Sequence, residues 1–408
     1  MNNEIENIET EIKSPKPENG MTTEQKYPRH HQTILKGNYA AAEAAKLCRI
    51  DFVPAYPITP QTTIVEELSA KVARNEMNAT YINMDSEHSV FAAAKGAAIA
   101  GSRVFTATSG QGLFYAHEVL HAIAHFRLPM VVCDVGRPSI PWNIWSDQTD
   151  SLAQRDTGWI QIYTESAQEV LDTIIQSYII TEKLDIPVMI VLDAFYQSHT
   201  SENIWIPEQN LVDEFLPPKQ MKGWEVDVEH PKSVGGLVPP EHYEKFNYEY
   251  WLDVNKTEAL LSETGKKFGK HFGRSYEPVE AVNIGPNTKM VLVSISSITT
   301  TVRGVIQNHP EIGLLKLRLF KPFPKETILK AFENLSDDAI IVNIERNFLG
   351  GNHGAIMQEM LRTLYGRKYK LYDVYTGLGG KDVPPVTIEK IIYKMQNNPD
   401  EVTWIDLE

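Results

Sequence analysis

The chain has 408 residues, 42% of them hydrophobic, and a formal net charge of -14 at pH 7. That length predicts two or three domains with a sizeable core, and acidic charge spread along the chain argues against a nucleic-acid-binding surface. No apolar run reaches the length of a membrane span and the amino terminus lacks the order of a secretory signal, so a cytoplasmic protein without a membrane span is expected.

Residues 1–34 are polar and proline-containing, with too few apolar side chains to offset the entropy of ordering, and are expected to form a flexible or partner-docked extension. From residue 35 to 205 helical and strand-like segments alternate. GNYAAAEAAKLCRI reads as a helix, FVPAY as a strand, TTIVEELSAKVARN as a helix, YINM as a strand and HSVFAAAKGAAIAG as a helix; RVFTAT, PMVVCDV and PVMIVLDA are three further buried strands. Such alternation predicts an α/β fold with a parallel sheet covered on both faces, and functional groups gather beyond the carboxyl ends of its strands. Residues 206–284, rich in proline and aromatics, read as a connector with a helical part near 240–272. A second α/β alternation fills 285–408, including KMVLVSI, LLKLRLF and AIIVNIE as strands.

Thr59-Pro60 follows the first strand, where threonine suits an N-cap and proline the first helical turn. A helix amino terminus at a strand end is also an anion site, so the two readings are compatible. Ser86-Glu87 repeats the pattern, with serine as a cap and the acid favoured by the helix dipole. Ser109-Gly110-Gln111-Gly112 lacks the third glycine of a dinucleotide fingerprint and the lysine of a P-loop, and reads as a tight turn with close backbone approach. Arg137 opens a long stretch without helical period, and its fork suits a carboxylate or a structural ion pair. No metal-ligand spacing and no Ser/His/Asp order is present, and the two cysteines, Cys48 and Cys133, are too few to hold an iron–sulfur cluster.

GNYAAAEAAKLC, AYPITPQT, MDSEHS, FTATSGQGL, LPMVV, PWNIWSDQTDSLAQRDTGW and SHTSE, in that order, resemble the alpha subunit of 2-oxoacid:ferredoxin oxidoreductases. GLLKLRLFKPFP, the NIERN-to-GGNHG loop and YTGLGGKDV resemble the second domain of the same subunit, so the likeness runs from Gly37 to the end. It implies a thiamine-enzyme pyrimidine-binding-type parallel-sheet domain followed by a transketolase carboxyl-terminal-like α/β domain. It also implies an activity: thiamine diphosphate-dependent decarboxylation of a 2-oxoacid, capture of the acyl fragment on coenzyme A, and electron transfer to ferredoxin or another acceptor.

The chain lacks the Gly-Asp-Gly and asparagine motif that holds magnesium diphosphate in such enzymes. The resemblance therefore implies a beta subunit that completes the thiamine site and holds Mg2+, with gamma and cluster-bearing delta subunits that carry the [4Fe-4S] clusters. By the same resemblance Glu87 corresponds to the glutamate that hydrogen-bonds the aminopyrimidine ring nitrogen and favours its imino tautomer. Thr59 corresponds to the threonine beside the reacting carbonyl, and Arg137 to the arginine that pairs with the substrate carboxylate. Pro57, Ile58, Ser109 and Gln111 fall at cofactor-contacting positions, and Trp142 at a substrate-contacting one.

Pyruvate-using members typically carry Arg-Ala-Leu where this chain has Arg137-Pro138-Ser139, and 141-PWNIWSDQTD-150 looks closer to members acting on branched or aromatic 2-oxoacids. The expected substrate is thus a bulky acid such as 2-oxoisovalerate or phenylglyoxylate, with pyruvate as the alternative. A nicotinamide-dependent dehydrogenase is disfavoured by the missing third glycine. A non-catalytic assembly subunit would have no need of Thr59, Glu87 and Arg137 together.

Overall fold

The computed structural model describes residue 27 and residues 29–351 and 353–407. In chain order the first part runs β1 (His30–Lys36), α1 (Gly37–Leu47), β2 (Phe52–Ala55), α2 (Thr62–Ala73), β3 (Thr80–Asn83), α3 (Glu87–Ile99), β4 (Phe105–Thr108), α4 (Gln111–Tyr115), α5 (His117–His125), β5 (Val131–Gly136), α6 (Thr149–Leu152), β6 (Ile160–Tyr163), α7 (Ala167–Leu184), β7 (Val188–Asp193) and β8 (Ser201–Pro207). Three helices follow, α8 (Gln209–Phe215), α9 (Pro240–Val254) and α10 (Thr257–Phe272). The second part comprises β9 (Val279–Val282), β10 (Met290–Ser294), α11 (Ile298–Val305), β11 (Ile312–Leu317), β12 (Leu319–Lys321), α12 (Lys325–Ala331), β13 (Ile340–Glu345), α13 (Ala355–Thr363), β14 (Lys370–Tyr375), α14 (Pro385–Asn397) and β15 (Val402–Trp404).

Strands β4, β5, β7 and β6 are parallel neighbours, with β12 antiparallel at the β6 edge. Every residue of β5 and of β7 is buried, which is why both read as unbroken apolar runs in a sheet covered on two faces. Strands β2 and β3 form a separate parallel pair, joined to β4 through a bridge from Phe52 to Val104. On one face α1 lies buried with α7; its alanines 40, 41, 42, 44 and 45 are fully buried, and small side chains let the two helices approach closely. The second sheet has the order β15-β14-β13-β10-β11-β9 and is parallel except for β9. The molecule is thus α/β in both parts.

The fold departs from the sequence expectations at three places. Residues 30–34, expected in the flexible extension, belong to β1, which pairs antiparallel with β8 from His30 opposite Pro207 to Lys36 opposite Ser201. The pairing partner lies some 170 residues away, so no local pattern announces it; residues 1–26 and Pro28 lie outside the described residues. LLKLRLF is not one strand: β11 lies in the second sheet and β12 in the first, with Arg318 buried at the switch and donating to Glu169 Oε1 at 2.9 Å and Thr173 Oγ1 at 2.8 Å. Thr59-Pro60 does not cap a helix, because Ile58–Gln61 form a turn and α2 begins only at Thr62, behind Gln61.

The two parts are joined by buried charge. Arg346, after β13, donates to Asp193 Oδ2 at 3.1 Å at the end of β7, and Lys316 of β11 reaches Glu169 Oε2 at 2.7 Å. The second part also holds the long segment after β5: Asn143 Nδ2 donates to the Gly379 carbonyl at 2.9 Å, and the Gly379 amide donates to Asp147 Oδ2 at 3.2 Å.

Candidate functional site

Four consecutive parallel strands, β2 to β5, release their loops at the same end, so Thr59, Glu87, Gly110 and Arg137 are brought to one rim of the sheet. Arg137 is 4% exposed, and its guanidinium is oriented by two acceptors: Nη1 donates to the Thr59 carbonyl at 2.5 Å and Nη2 to Gln111 Oε1 at 2.7 Å. Its Nε is buried without a partner. Burial pulls the Arg137 guanidinium below its ordinary value, opposed by the charges of Asp150, Asp134 and Glu87.

Glu87 is the first residue of α3. The helix is capped as expected, with Ser86 Oγ accepting from the Ser89 amide at 3.2 Å. The Glu87 side chain is 9% exposed and lies over the turn after β4. A Cβ on Gly112 would stand 2.6 Å from Glu87 Oε1 and 2.7 Å from Thr108 Oγ1, and Gly110, at φ +51, abuts the Arg137 side chain. The tight turn read from Ser109-Gly110-Gln111-Gly112 thus has a specific cause: one glycine makes room for Arg137 and the other for Glu87. Thr108 Oγ1 is buried without a partner beside the glutamate.

The other predicted residues divide. Ser109 Oγ donates to the Val135 carbonyl at 2.6 Å, and Gln111 Nε2 to the Ser139 carbonyl at 2.5 Å, so both side chains are engaged within the protein. Pro57 is exposed and Ile58 half-buried on the loop leading to Thr59, itself exposed. Trp142 is 70% exposed and Trp145 53%, so neither packs beneath its loop. Cys48 and Cys133 are both buried free thiols, pushed up by desolvation.

Sequence reasoning missed two acids. Asp150 and Asp134 are fully buried below Arg137, and Asp150 accepts from the main chain of both Arg137 and Gly110. The signal for Asp150 was its place at the end of 141-PWNIWSDQTD-150, which gave it no role of its own, and Asp134 was hidden inside an apolar strand.

Two families match. The one described as pyruvate flavodoxin/ferredoxin oxidoreductase, thiamine diP-bdg, covers residues 43–265, and pyruvate:ferredoxin oxidoreductase core domain II covers residues 288–388. The ketoisovalerate oxidoreductase subunit VorA of Pyrococcus horikoshii is 39% identical over 388 residues, 92% of this chain and 98% of that protein. The pyruvate synthase subunit PorA of Methanothermobacter thermautotrophicus is 40% identical over 382 residues, again 92% of this chain and 98% of the other. Among solved structures, the 2-oxoglutarate:ferredoxin oxidoreductase from Magnetococcus marinus with 2-oxoglutarate, coenzyme A and succinyl-CoA bound has a TM-score of 0.70 at 19% identity, over 89% of this chain and 65% of that chain. This chain therefore spans just under two-thirds of the solved one, and the likeness is one of fold.

Proposed function

The chain belongs to the pyruvate flavodoxin/ferredoxin oxidoreductase family, as the alpha-type subunit of a 2-oxoacid:ferredoxin oxidoreductase, and on that premise we propose that its loops after β2 to β5 form the pyrimidine side of a thiamine diphosphate site. The observation that carries this reading is the setting of Glu87, a carboxylate at a helix start, laid over Gly112 and flanked by the unpartnered Thr108 hydroxyl. Buried polar atoms left without partners, Thr108 Oγ1 and Arg137 Nε, are what a polar ligand would satisfy, so the residues fit the cofactor.

When bound, thiamine diphosphate supplies the nucleophilic carbon and the electron sink that decarboxylation of a 2-oxoacid requires. Glu87 would hold a proton between its Oε atoms and the aminopyrimidine ring nitrogen of the bound cofactor. Thr59 borders the reacting carbonyl. Arg137, oriented by the Thr59 carbonyl and by Gln111, draws the substrate carboxylate to the site. Ile58 and Pro57 border the cofactor, and Ser109 and Gln111 shape the turn against it.

On the same reading coenzyme A would be the cosubstrate that receives the acyl fragment, and gamma and delta-type partners would hold the [4Fe-4S] clusters that serve ferredoxin or another acceptor. A beta subunit supplies the Mg2+ and diphosphate half. Exposed apolar side chains at Ile82, Tyr115, Ile140 and Trp142, on the elements that carry the site, support a partner seated over this rim. Among the described residues no helix is long and apolar enough to cross a membrane.

The two relatives act in name on different acids, ketoisovalerate and pyruvate, at nearly the same identity. The loop after Arg137, with Trp142 and Trp145 both available, supports a bulky acid. The experiment is reconstitution: the purified chain alone, and together with its co-purifying subunits, is assayed for reduction of ferredoxin dependent on a 2-oxoacid and coenzyme A. Turnover only in the assembled complex is expected. Robust turnover by the chain alone, or none by the complex with any 2-oxoacid, contradicts the reading.

A further inference from the structure

A pair of acids under the site is used by none of the roles above. Asp134 lies on β5 and Asp150 on α6, both fully buried. Asp150 Oδ2 accepts the Gly110 amide at 2.8 Å and the Arg137 amide at 2.9 Å, while Oδ1 accepts the Ser151 amide at 2.8 Å. The first two amides come from different connections, the turn after β4 and the end of β5. One carboxylate oxygen therefore ties the backbone that carries Gln111 to the backbone that carries Arg137, and the two side chains meet 2.7 Å apart above it.

Neither carboxyl oxygen of Asp134 has a hydrogen-bond partner, and the charge of Asp150 bears on it. Two ionised carboxylates do not share a dry pocket; burial and mutual repulsion push Asp134 well above the ordinary carboxylate range, and burial raises Asp150 as well. The three amide donors favour the charge on Asp150, which leaves Asp134 as the member of the pair that keeps its proton and can offer it to Asp150.

We propose that Asp150, backed by Asp134, is the positioning residue that fixes Arg137 and the Gly110–Gln111 turn in relation to each other and thereby sets the affinity of the site for the 2-oxoacid carboxylate. The inference rests on the reading of Arg137 as the group that binds this carboxylate. An asparagine at 150 can keep the Gly110 and Arg137 amides on its one carbonyl oxygen, whereas a leucine, branched as aspartate is, accepts neither. At position 134 an asparagine can still donate to Asp150, whereas a leucine of the same branched shape cannot.

The test uses the assembled complex with D150L, D134N and D134L beside the wild type, reading KM for the 2-oxoacid, kcat, affinity for thiamine diphosphate and Tm. D150L and D134L are expected to raise KM by about tenfold or more, the scale of a lost hydrogen bond to a charged group, and by a larger factor than any loss of thiamine diphosphate affinity. D134N is expected to recover KM to within about threefold of wild type. An unchanged KM in D150L or D134L, or an equal rise in D134N and D134L, overturns the proposal. If D150L does not assemble, the contrast between D134N and D134L decides alone. A wild-type complex that oxidises no 2-oxoacid defeats the functional reading itself and this inference with it.

Discussion

Glu87 and Gly112 are in such close contact that a Cβ on the glycine would lie 2.6 Å from the glutamate's Oε1. The same Cβ would meet Thr108 Oγ1 at 2.7 Å, so the site has no slack on either side. Gly112→Ala must therefore move Glu87. Since displacement of a reacting group by ~1 Å costs on the order of a hundredfold, kcat of the assembled complex is expected to fall on that scale while the chain stays folded. A Gly112→Ala complex with wild-type kcat would mean that the position of Glu87 is not critical.

A second buried acidic pair makes stability depend on pH. Glu345 is fully buried beside Asp373, and burial together with that neighbour raises it from the ordinary 4.5 to about 8. Asp373 is raised too, chiefly by burial. The folded chain thus holds protons that the unfolded chain releases, so this contribution is full below about 4.5 and is lost as pH rises towards about 8. Glu345→Gln removes the titration, though it exchanges one acceptor oxygen for a donor amide where Oε1 accepts the Met357 amide at 2.8 Å and Oε2 accepts Asn347 Nδ2 at 2.5 Å. The difference in Tm between variant and wild type is expected to shift in the variant's favour from pH 5 to pH 8, reflecting a few kcal/mol on the order-of-magnitude scale of such shifts. Parallel Tm curves across that range would contradict the assignment.

Substrate size is read on the loop after Arg137. With Trp142 and Trp145 exposed on that loop, 2-oxoisovalerate or phenylglyoxylate is expected to match or exceed pyruvate in kcat/KM. Each methylene of pocket contact is worth about 1–3 kcal/mol, so the difference is measurable. Trp142→Ala should lower kcat/KM for the larger acids more than for pyruvate. A clear preference for pyruvate over both larger acids would remove the tryptophans from the pocket.

Much of the candidate site's placement was legible because its residues sit where strand periodicity ends. Glu87, Gly110 and Arg137 each follow an apolar run, and parallel strands place such positions together whatever their separation in sequence. The cap at Ser86 was legible as well, since it depends on residues three apart. What escaped depends on distant pairing: β1 with β8, and β12 leaving its own sheet to join β6. Thr59 misled for a local reason, because Asn38 Nδ2 donates to the Pro60 carbonyl and to Thr63 Oγ1, both at 2.8 Å, and helps hold a turn where a helix start was expected. Asp134 was invisible because an acid inside an apolar strand declares its role only through the partner that burial gives it.

Glu87, as the acid proposed to share a proton with the cofactor's pyrimidine ring, is the residue on which the thiamine site depends. Glu87→Gln keeps the size and the helix start but removes the anionic end of that proton relay. In the assembled complex, with folding and subunit composition checked against wild type, 2-oxoacid-dependent turnover is expected to fall by about a hundredfold to ten-thousandfold, the range of general acid–base catalysis. Turnover within about threefold of wild type would mean that Glu87 serves only to begin its helix, and the thiamine site assigned to this rim would have to lie elsewhere.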